Sequence, residues 1–462
     1  MPTPSSVNQY AVTIRRIDVA VDLLKLHHQD PQRYPHLLES VSAGPQGQYD
    51  ILFAFPQETL TLNAQGDLTG ESSATEGNDF LTAFDQWWQG QYAQPSIDSE
   101  LPFLGGWFVY LGYELAAQIE PGLSLPAPSM VMPTAFATRF PCAILHDRQR
   151  HQSWLMAEQK EGSDNIHLME QDVLRAGEQA LEIPALSIQL HEDNGNSYCT
   201  AVETILEYIR AGDVFQVNLS RQWNAVIDEA ISNTALYDYL RKNNPGPFNG
   251  LATGDWGAVI SSSPERLVRV KGDLIETRPI AGTRPRNAQG TIDQALSEEL
   301  LNHPKEQAEH IMLLDLERND LGRVCRPGSI EVDEMMVLES YAHVHHIVSN
   351  VRGHLRPGIS PADSFRAVFP GGTITGCPKV RCMEIIAELE QEGRGAYTGS
   401  MGYVNRNGDM DLNILIRSLS RQQQQLSLRA GAGIVADSIA VRELEETRSK
   451  AKGLLWALGS ET

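Results

Sequence analysis

In the second half of this 462-residue chain, acidic, basic and imidazole side chains fall at spacings that could do chemistry. Glu443 and Glu446 lie three residues apart, with Lys450 one turn beyond, so on a helix all three share a face. That pattern is either a solvated, salt-bridged face or part of a magnesium site, because oxygen-only carboxylate ligands suit that hard cation. A metal would need a further carboxylate. Glu309 is the candidate, since it stands among Ala308, Ile311, Met312, Leu313 and Leu314, where an unpaired charge is costly. Glu265, in SSSPERL, follows Pro264 between strand-like runs and is a candidate general acid. Arg417 stands inside LNILIRSL, which reads as a strand, so its guanidinium calls for a carboxylate partner. Arg429-Ala-Gly431-Ala-Gly433 offers backbone amides to another carboxylate, although a lone Gly-x-Gly is weak by itself. Strand alternation puts His343 and His345 on one face and His346 on the other, with no Cys or His in register for zinc. One of these imidazoles is a candidate for acid–base or hydrogen-bonding work. Together the residues describe a small site for an anionic, carboxylate-rich molecule, bound partly through a metal.

The stretch GGTITGCPKVRCMEIIAELE has the glycine spacing of a phosphate-binding loop at Gly371 and Gly376. Cys377 and Pro378 intervene, however, Lys379 is displaced, and Val380 stands where a magnesium-binding hydroxyl belongs. The nucleotide reading fails. What remains is a Gly- and Thr-rich turn opening a helix whose N-terminal dipole favours an anion.

Composition narrows the field. Hydrophobic residues make up 41% and charged residues 21%, enough for a sizeable globular core. The formal charge of −22 argues against nucleic acid and anionic membranes as partners, so an anionic ligand must be held by local cations. No apolar run approaches a membrane span, and the N-terminus lacks a signal-peptide pattern. Five scattered cysteines form no metal spacing, and a reducing cytoplasm is expected.

The elements that must position these residues read as follows. Pro121–Thr134 is a Pro-rich loop, and the polar, turn-rich His191–Ser197 divides the chain into halves. Beyond it comes an amphipathic helix over Cys199–Ala211, then strands over Phe215–Leu219, Ala258–Ser262, Arg266–Val270 and Leu274–Ile280. Helical patterns cover Asp293–Asn302 and Lys305–Asn319. Strands Gly399–Val404, Asp411–Leu419 and Gln425–Arg429 follow, and the last helix covers Val441–Leu458. Hairpin-linked strands with helices outside imply an α+β fold of layered, antiparallel-rich sheets flanked by helices.

Seven motifs in order carry a resemblance: GDVFQVNLS, SSSPER, RPIAGTRPR, DLERNDLGRV, VHHIVS, FPGGTITGCPKVR and AGAGIVADS. They are similar to those of the chorismate-utilising enzymes, which include anthranilate, aminodeoxychorismate, isochorismate and salicylate synthases. The resemblance is strong over 193–458, the expected catalytic domain, and weaker over 1–190, which resembles the family's N-terminal domain. It implies an anthranilate synthase component I-like fold and a Mg2+ cofactor held by Glu309 and Glu446 with Glu443 nearby. It also implies a general-acid role for Glu265, carboxylate-binding roles for Arg417, Gly431, Gly433 and Lys450, and a site histidine at His346. Thr375 and Tyr403 look like hydrogen-bonding groups of the pocket. Leu37–Ser40 (LLES), with Pro247 and Phe248 in NPGPF, resembles a tryptophan pocket, so Glu39, Ser40, Pro247 and Phe248 are its expected lining.

Within the family, isochorismate synthases carry a lysine where this chain has Gln216, so ammonia, not water, is the implied nucleophile. GGTITG, the His345-His346 pair and QVNLS are similar to the aminodeoxychorismate branch, whereas Ala281, in PIAGT, is shared with the anthranilate branch. Ala281 leaves open whether ammonia attacks C4 directly or by way of a C2 adduct. The alternatives are an anthranilate synthase component I or a non-catalytic, tryptophan-binding regulatory subunit. No cysteine here has the Gly-x-Cys-x-Gly context of the pathway's glutamine amidotransferases, so a separate amidotransferase partner is expected to make ammonia from glutamine.

Overall fold

The structure is a computed structural model. It describes residues 8–460 apart from 19–20, 43–46, 71–77, 160–163, 179, 287–289 and 341–343, and it also leaves out the side chains at 281, 283, 285, 290–292, 305 and 344. His343 therefore lies outside the described residues, as does the side chain of Ala281. Two large sheets, of 12 and 11 strands, form the centre. Their pairings are antiparallel, and among the described residues only the small pair Gln9–Tyr10 with Gln94–Pro95 runs parallel.

Strand alternation explains the layering. In Tyr49–Ala54, Ile51 and Phe53 join the aromatic core between the sheets, with Phe108, Phe136 and Phe140, while Leu52 and Ala54 face outward. The outward set packs beneath the helices Leu23–Gln29, Asn233–Asn243 and Ala440–Ala457 through Leu26, Leu236 and Leu454. The second sheet is covered in the same way by Phe80–Gln91, Pro304–Gly322 and Pro361–Val368, through Phe84, Leu314 and Phe365. The result is four layers, helix–sheet–sheet–helix, as the α+β reading anticipates. Both sheets draw strands from either side of residues 191–197: Phe248–Gly254 pairs with His36–Glu39, and Ser400–Asn405 with Gly106–Leu111.

One expectation is corrected. The run expected as a single strand, Asp411–Leu419, is broken at 414–417. Met410–Asn413 belongs to the second sheet, against Arg266–Lys271, and Ser418–Gln422 to the first, against Gly257–Ser263. The chain changes sheets between them, and Arg417 takes a left-handed φ of 52° at the bend. Apolar residues persist through the break because Ile414 and Leu415 enter different cores, so composition gives no sign of it. A second crossover runs alongside, from Gly257–Ser263 into Arg266–Lys271 through Pro264 and Glu265. Backbone hydrogen bonds lace the two together, Ile414 N–H to Glu265 O at 3.0 Å and Ser262 N–H to Arg417 O at 3.1 Å.

A buried ion-pair knot fixes the neighbouring strands. Glu390 ends the helix Lys379–Glu390 and accepts from Arg394 at 2.7 Å and from Arg429 at 2.8 Å. Ser220 adds a backbone N–H and a hydroxyl, each at 2.8 Å. Arg394 also donates to the carbonyls of Ile374 at 3.0 Å and Asn218 at 2.7 Å, so one guanidinium spans the Gly371 loop and the Gln216–Val226 strand. Removing one partner of a buried pair strands the other charge, at a cost of about 3–5 kcal/mol. Arg394→Met should therefore lower the unfolding free energy extrapolated from urea titration by about 3–5 kcal/mol; a value equal to wild type would show that the knot does not hold these strands.

Candidate active site

Glu265 and Arg417 meet where the chain changes sheets. The Glu265 carboxylate accepts a 2.8 Å hydrogen bond from Thr373 Oγ1. Burial pushes its pKa up to about 7, opposed by that hydroxyl, the Ile280 backbone, Lys450 and Arg417. At neutral pH this carboxyl therefore holds a proton on a large fraction of molecules, as a proton donor must. Burial pulls the Arg417 pKa down, and only the charge of Glu265 opposes that shift, with no hydrogen-bonded carboxylate. The carboxylate partner anticipated for Arg417 is absent among the described residues. A desolvated guanidinium in that state is a receptor for an external carboxylate.

His346 lies on Val344–His354, opposite Thr283. It is buried, and desolvation with the Arg417 charge pushes its pKa down to about 3, so the imidazole is neutral and serves hydrogen bonding. His345 turns the other way, to Ser340 at 2.7 Å and Asp293 at 3.0 Å, as alternation requires.

The floor is the pair of strands Gln216–Val226 and Gln425–Ile434. Ser418–Gln422 pairs with the latter only as far as Leu428, so from Arg429 onward one edge of that strand is open. Alternate residues there turn their backbone groups to the gap, which is where Gly431 and Gly433 stand. Lys450 Nζ reaches into it, donating to Gly431 O at 3.1 Å and pairing with Glu446 at 2.8 Å.

Two assignments move. Thr375 spends its hydroxyl on the Gly371 carbonyl at 2.9 Å, and Thr373, two residues earlier in the same loop, is the threonine that touches Glu265. Tyr403 faces the space between the sheets, edge-on to Phe103, with ring centroids 5.9 Å apart. The tyrosine at the site is Tyr397, whose hydroxyl lies 2.9 Å from the point a Cβ on Gly431 would occupy. Gln216 lies at the site, its side-chain amide 2.5 Å from the corresponding point on Gly433. Ala281 lies on the strand Ile280–Pro285, opposite Ile347.

The expected metal residues come from two helices, Glu309 from Pro304–Gly322 and Glu443 and Glu446 from Ala440–Ala457. All are carboxylates, the donor type a hard cation requires. Among the described residues no three Asp, Glu, His or Cys side chains converge as a ready ligand set. Glu39, Ser40, Pro247 and Phe248 do come together, lining a separate cavity of about 1000 Å³ between the sheets that also takes in Tyr403. The Glu39 carboxyl accepts from Tyr237 at 2.7 Å and from Arg241 at 3.2 Å. Burial, with Asp50 nearby, pushes its pKa up to about 7.

A family model described as chorismate binding enzyme matches residues 40–455. The chain belongs to this family. As a chorismate-binding enzyme it is 39% identical over 443 residues to aminodeoxychorismate synthase component 1 of Bacillus subtilis, covering 91% of both chains. It is 37% identical over 446 residues to anthranilate synthase component 1 of Thermus thermophilus, covering 94% of both. Among solved structures, anthranilate synthase component I of Streptococcus pneumoniae superposes with a TM-score of 0.78 at 31% identity, covering 89% of this chain and 93% of that one. Its substrate is therefore chorismate, a dianion whose carboxylates suit Arg417 and the open edge at Gly431. No helix among the described residues is long and apolar enough to cross a membrane.

An enzyme that uses the Glu265 carboxyl as an acid loses kcat/KM as pH rises through about 7. Thr373→Val removes a donor that favours the ionised form, so the alkaline limb should move to higher pH; an unmoved limb would separate Thr373 from the Glu265 titration.

Proposed function

We propose that the protein is the chorismate-aminating component of an aminodeoxychorismate synthase, forming 4-amino-4-deoxychorismate from chorismate and ammonia. The observation that carries this reading is a buried carboxyl, Glu265, held by Thr373 and in the field of the Arg417 guanidinium, which has no carboxylate partner among the described residues, with an amide, Gln216, where a hydrating enzyme would need an amine base. Glu265 gives its proton to the departing C4 hydroxyl. Arg417 and the amides of Gly431 and Gly433 hold the enolpyruvyl carboxylate, and Lys450 attends the ring-carboxylate side. His346, Tyr397 and Thr373 supply hydrogen bonds around them. Mg2+, held by Glu309 and Glu446 with Glu443 beside them, would neutralise the ring carboxylate.

Aminodeoxychorismate is favoured over anthranilate by three features that fall on site-lining segments. The GGTITG loop carries Thr373, the His345-His346 pair carries His346, and QVNLS carries both Gln216 and Asn218. The five cysteines are free thiols, in keeping with a cytoplasmic enzyme. Ammonia comes from glutamine through a separate amidotransferase subunit. The cavity between the sheets, lined by Glu39, Ser40, Pro247 and Phe248, is of a size to take tryptophan.

Incubation with chorismate, Mg2+ and ammonium followed by mass analysis tests the reading. A product that keeps the enolpyruvyl group is expected; release of pyruvate with fluorescent anthranilate would overturn it in favour of anthranilate synthase. Glu265→Gln should keep chorismate affinity while turnover falls on the order of 10²- to 10⁴-fold. Glu309→Gln should raise the Mg2+ concentration needed for half-maximal turnover, and wild-type behaviour at limiting Mg2+ would remove it from the metal site.

A further inference from the structure

The helix Pro304–Gly322 turns Leu313, Leu314 and Leu321 inward, and two carboxyls, Glu317 and Asp320, fall in the same buried stripe. They are 7% and 3% exposed. Both lie against the segment that carries Thr373. A Cβ on Gly372 would stand 3.5 Å from Glu317 Oε1, and the next residue, Thr373, donates its hydroxyl to Glu265 at 2.8 Å. Lys379, just beyond this loop, donates to Asp320 at 2.5 Å. Among the described residues Glu317 has no such cation of its own.

A carboxylate taken out of water without a cation is costly, so such a group keeps its proton. Burial, then the charge of Asp320, pushes the Glu317 pKa up to about 8; Lys379 and Thr277 oppose the rise, and the charge of Glu265 adds to it. Glu317 is thus within the field of both Asp320 on its own helix and Glu265 at the crossover. At neutral pH it is a second proton-holding carboxyl, set behind the loop that positions the first.

The proposed reaction leaves Glu265 without its proton after every turnover. One C–N bond forms, the C4–O bond breaks, and the Glu265 proton departs with the hydroxyl as water. The nitrogen remains as an ammonium group and Glu265 as a carboxylate. Lys450 and Arg417 favour that carboxylate, and Glu265 is only 6% exposed to water. We propose that Glu317 is the proton source that reloads Glu265: its carboxyl passes a proton to the Glu265 carboxylate after each turnover and then takes one back from solvent. Glu317 touches no reactant and acts only through Glu265, so the inference rests on the acid role given to Glu265 above.

Rapid-quench kinetics at pH 6 with chorismate, Mg2+ and ammonium test the transfer, for wild type, Glu317→Gln and Glu317→Asp. Glu265 starts protonated at that pH, so the first turnover of Glu317→Gln should match wild type. Later turnovers should slow on the order of 10²-fold, the low end of what a positioned acid contributes. Added acetic acid should restore them, because a small carrier can deliver the missing proton. Glu317→Asp keeps an acid in place, so it should fall between the two and covers the Gln variant against a folding defect. Later turnovers as fast as wild type overturn the proposal. A first turnover slowed as much as the later ones also overturns it, since Glu317 would then be a support of the loop. Full turnover by Glu265→Gln would instead overturn the acid reading itself, before Glu317 is changed.

Discussion

Everything at this site depends on two chain crossovers laced together by the hydrogen bonds from Ile414 to Glu265 and from Ser262 to Arg417, at 3.0 and 3.1 Å. An antiparallel sandwich normally keeps each strand in one sheet, and its seam is filled by apolar side chains. Here the chain switches sheets twice at adjacent positions, and each switch leaves one charged residue in the seam. Glu265 is buried there and Arg417 half-buried. Burial raises the pKa of Glu265 and lowers that of Arg417, so both side chains are shifted toward their neutral forms by the same desolvation. In the proposed reaction a dianionic substrate relieves the arginine, and a leaving hydroxyl takes up the proton of the glutamic acid. The left-handed backbone at Arg417 is of a kind that costs on the order of 1–3 kcal/mol and persists only where the surroundings enforce it.

The surroundings do enforce it. Arg394, itself buried, reaches the Ile374 carbonyl in the loop that carries Thr373 and the Asn218 carbonyl on the strand that carries Gln216. Through Glu390 it is joined to Arg429, at the point where the Gln425–Ile434 strand loses its second neighbour and its edge opens. One ion-pair knot thus sets the relative positions of the acid's hydrogen-bond partner, the amide floor and the open backbone edge. Such preorganisation keeps donors and acceptors aimed at a ligand before it arrives. The carboxylates proposed for the metal are the exception, since they lie on helices outside this knot and do not form a closed set by themselves.

Much of this was legible in the sequence. Alternation in VHHIVS separates His346 from His345, and the structure follows that split because both lie on one regular strand. Gly-x-Gly at Gly431 reads as an open backbone, and the strand is indeed unpaired there on one side. The misses have physical causes. LNILIRSL looks like one strand because its apolar residues serve two cores in turn, and a sheet change leaves no mark in hydropathy. GGTITG carries two threonines two residues apart, and only the local 3₁₀ turn at Gly372–Ile374 decides which hydroxyl faces Glu265 and which bonds back to the loop. Tyr397 stands in the turn before Ser400–Asn405, against Arg394 and Gly431, whereas Tyr403 is on that strand with its ring edge-on to Phe103, a tertiary difference with no local signal.

Burial in the seam raises the Glu265 pKa to about 7, so the carboxyl keeps its proton well above the usual carboxylate range. Infrared difference spectroscopy across a pH titration, wild type minus Glu265→Gln, isolates the carbonyl stretch of that one protonated carboxyl. The account predicts a band that is present at pH 5 and disappears with a midpoint near 7. A carboxyl already ionised at pH 5 would contradict it, because a solvated glutamate could not serve as the acid that the two crossovers are built to bury.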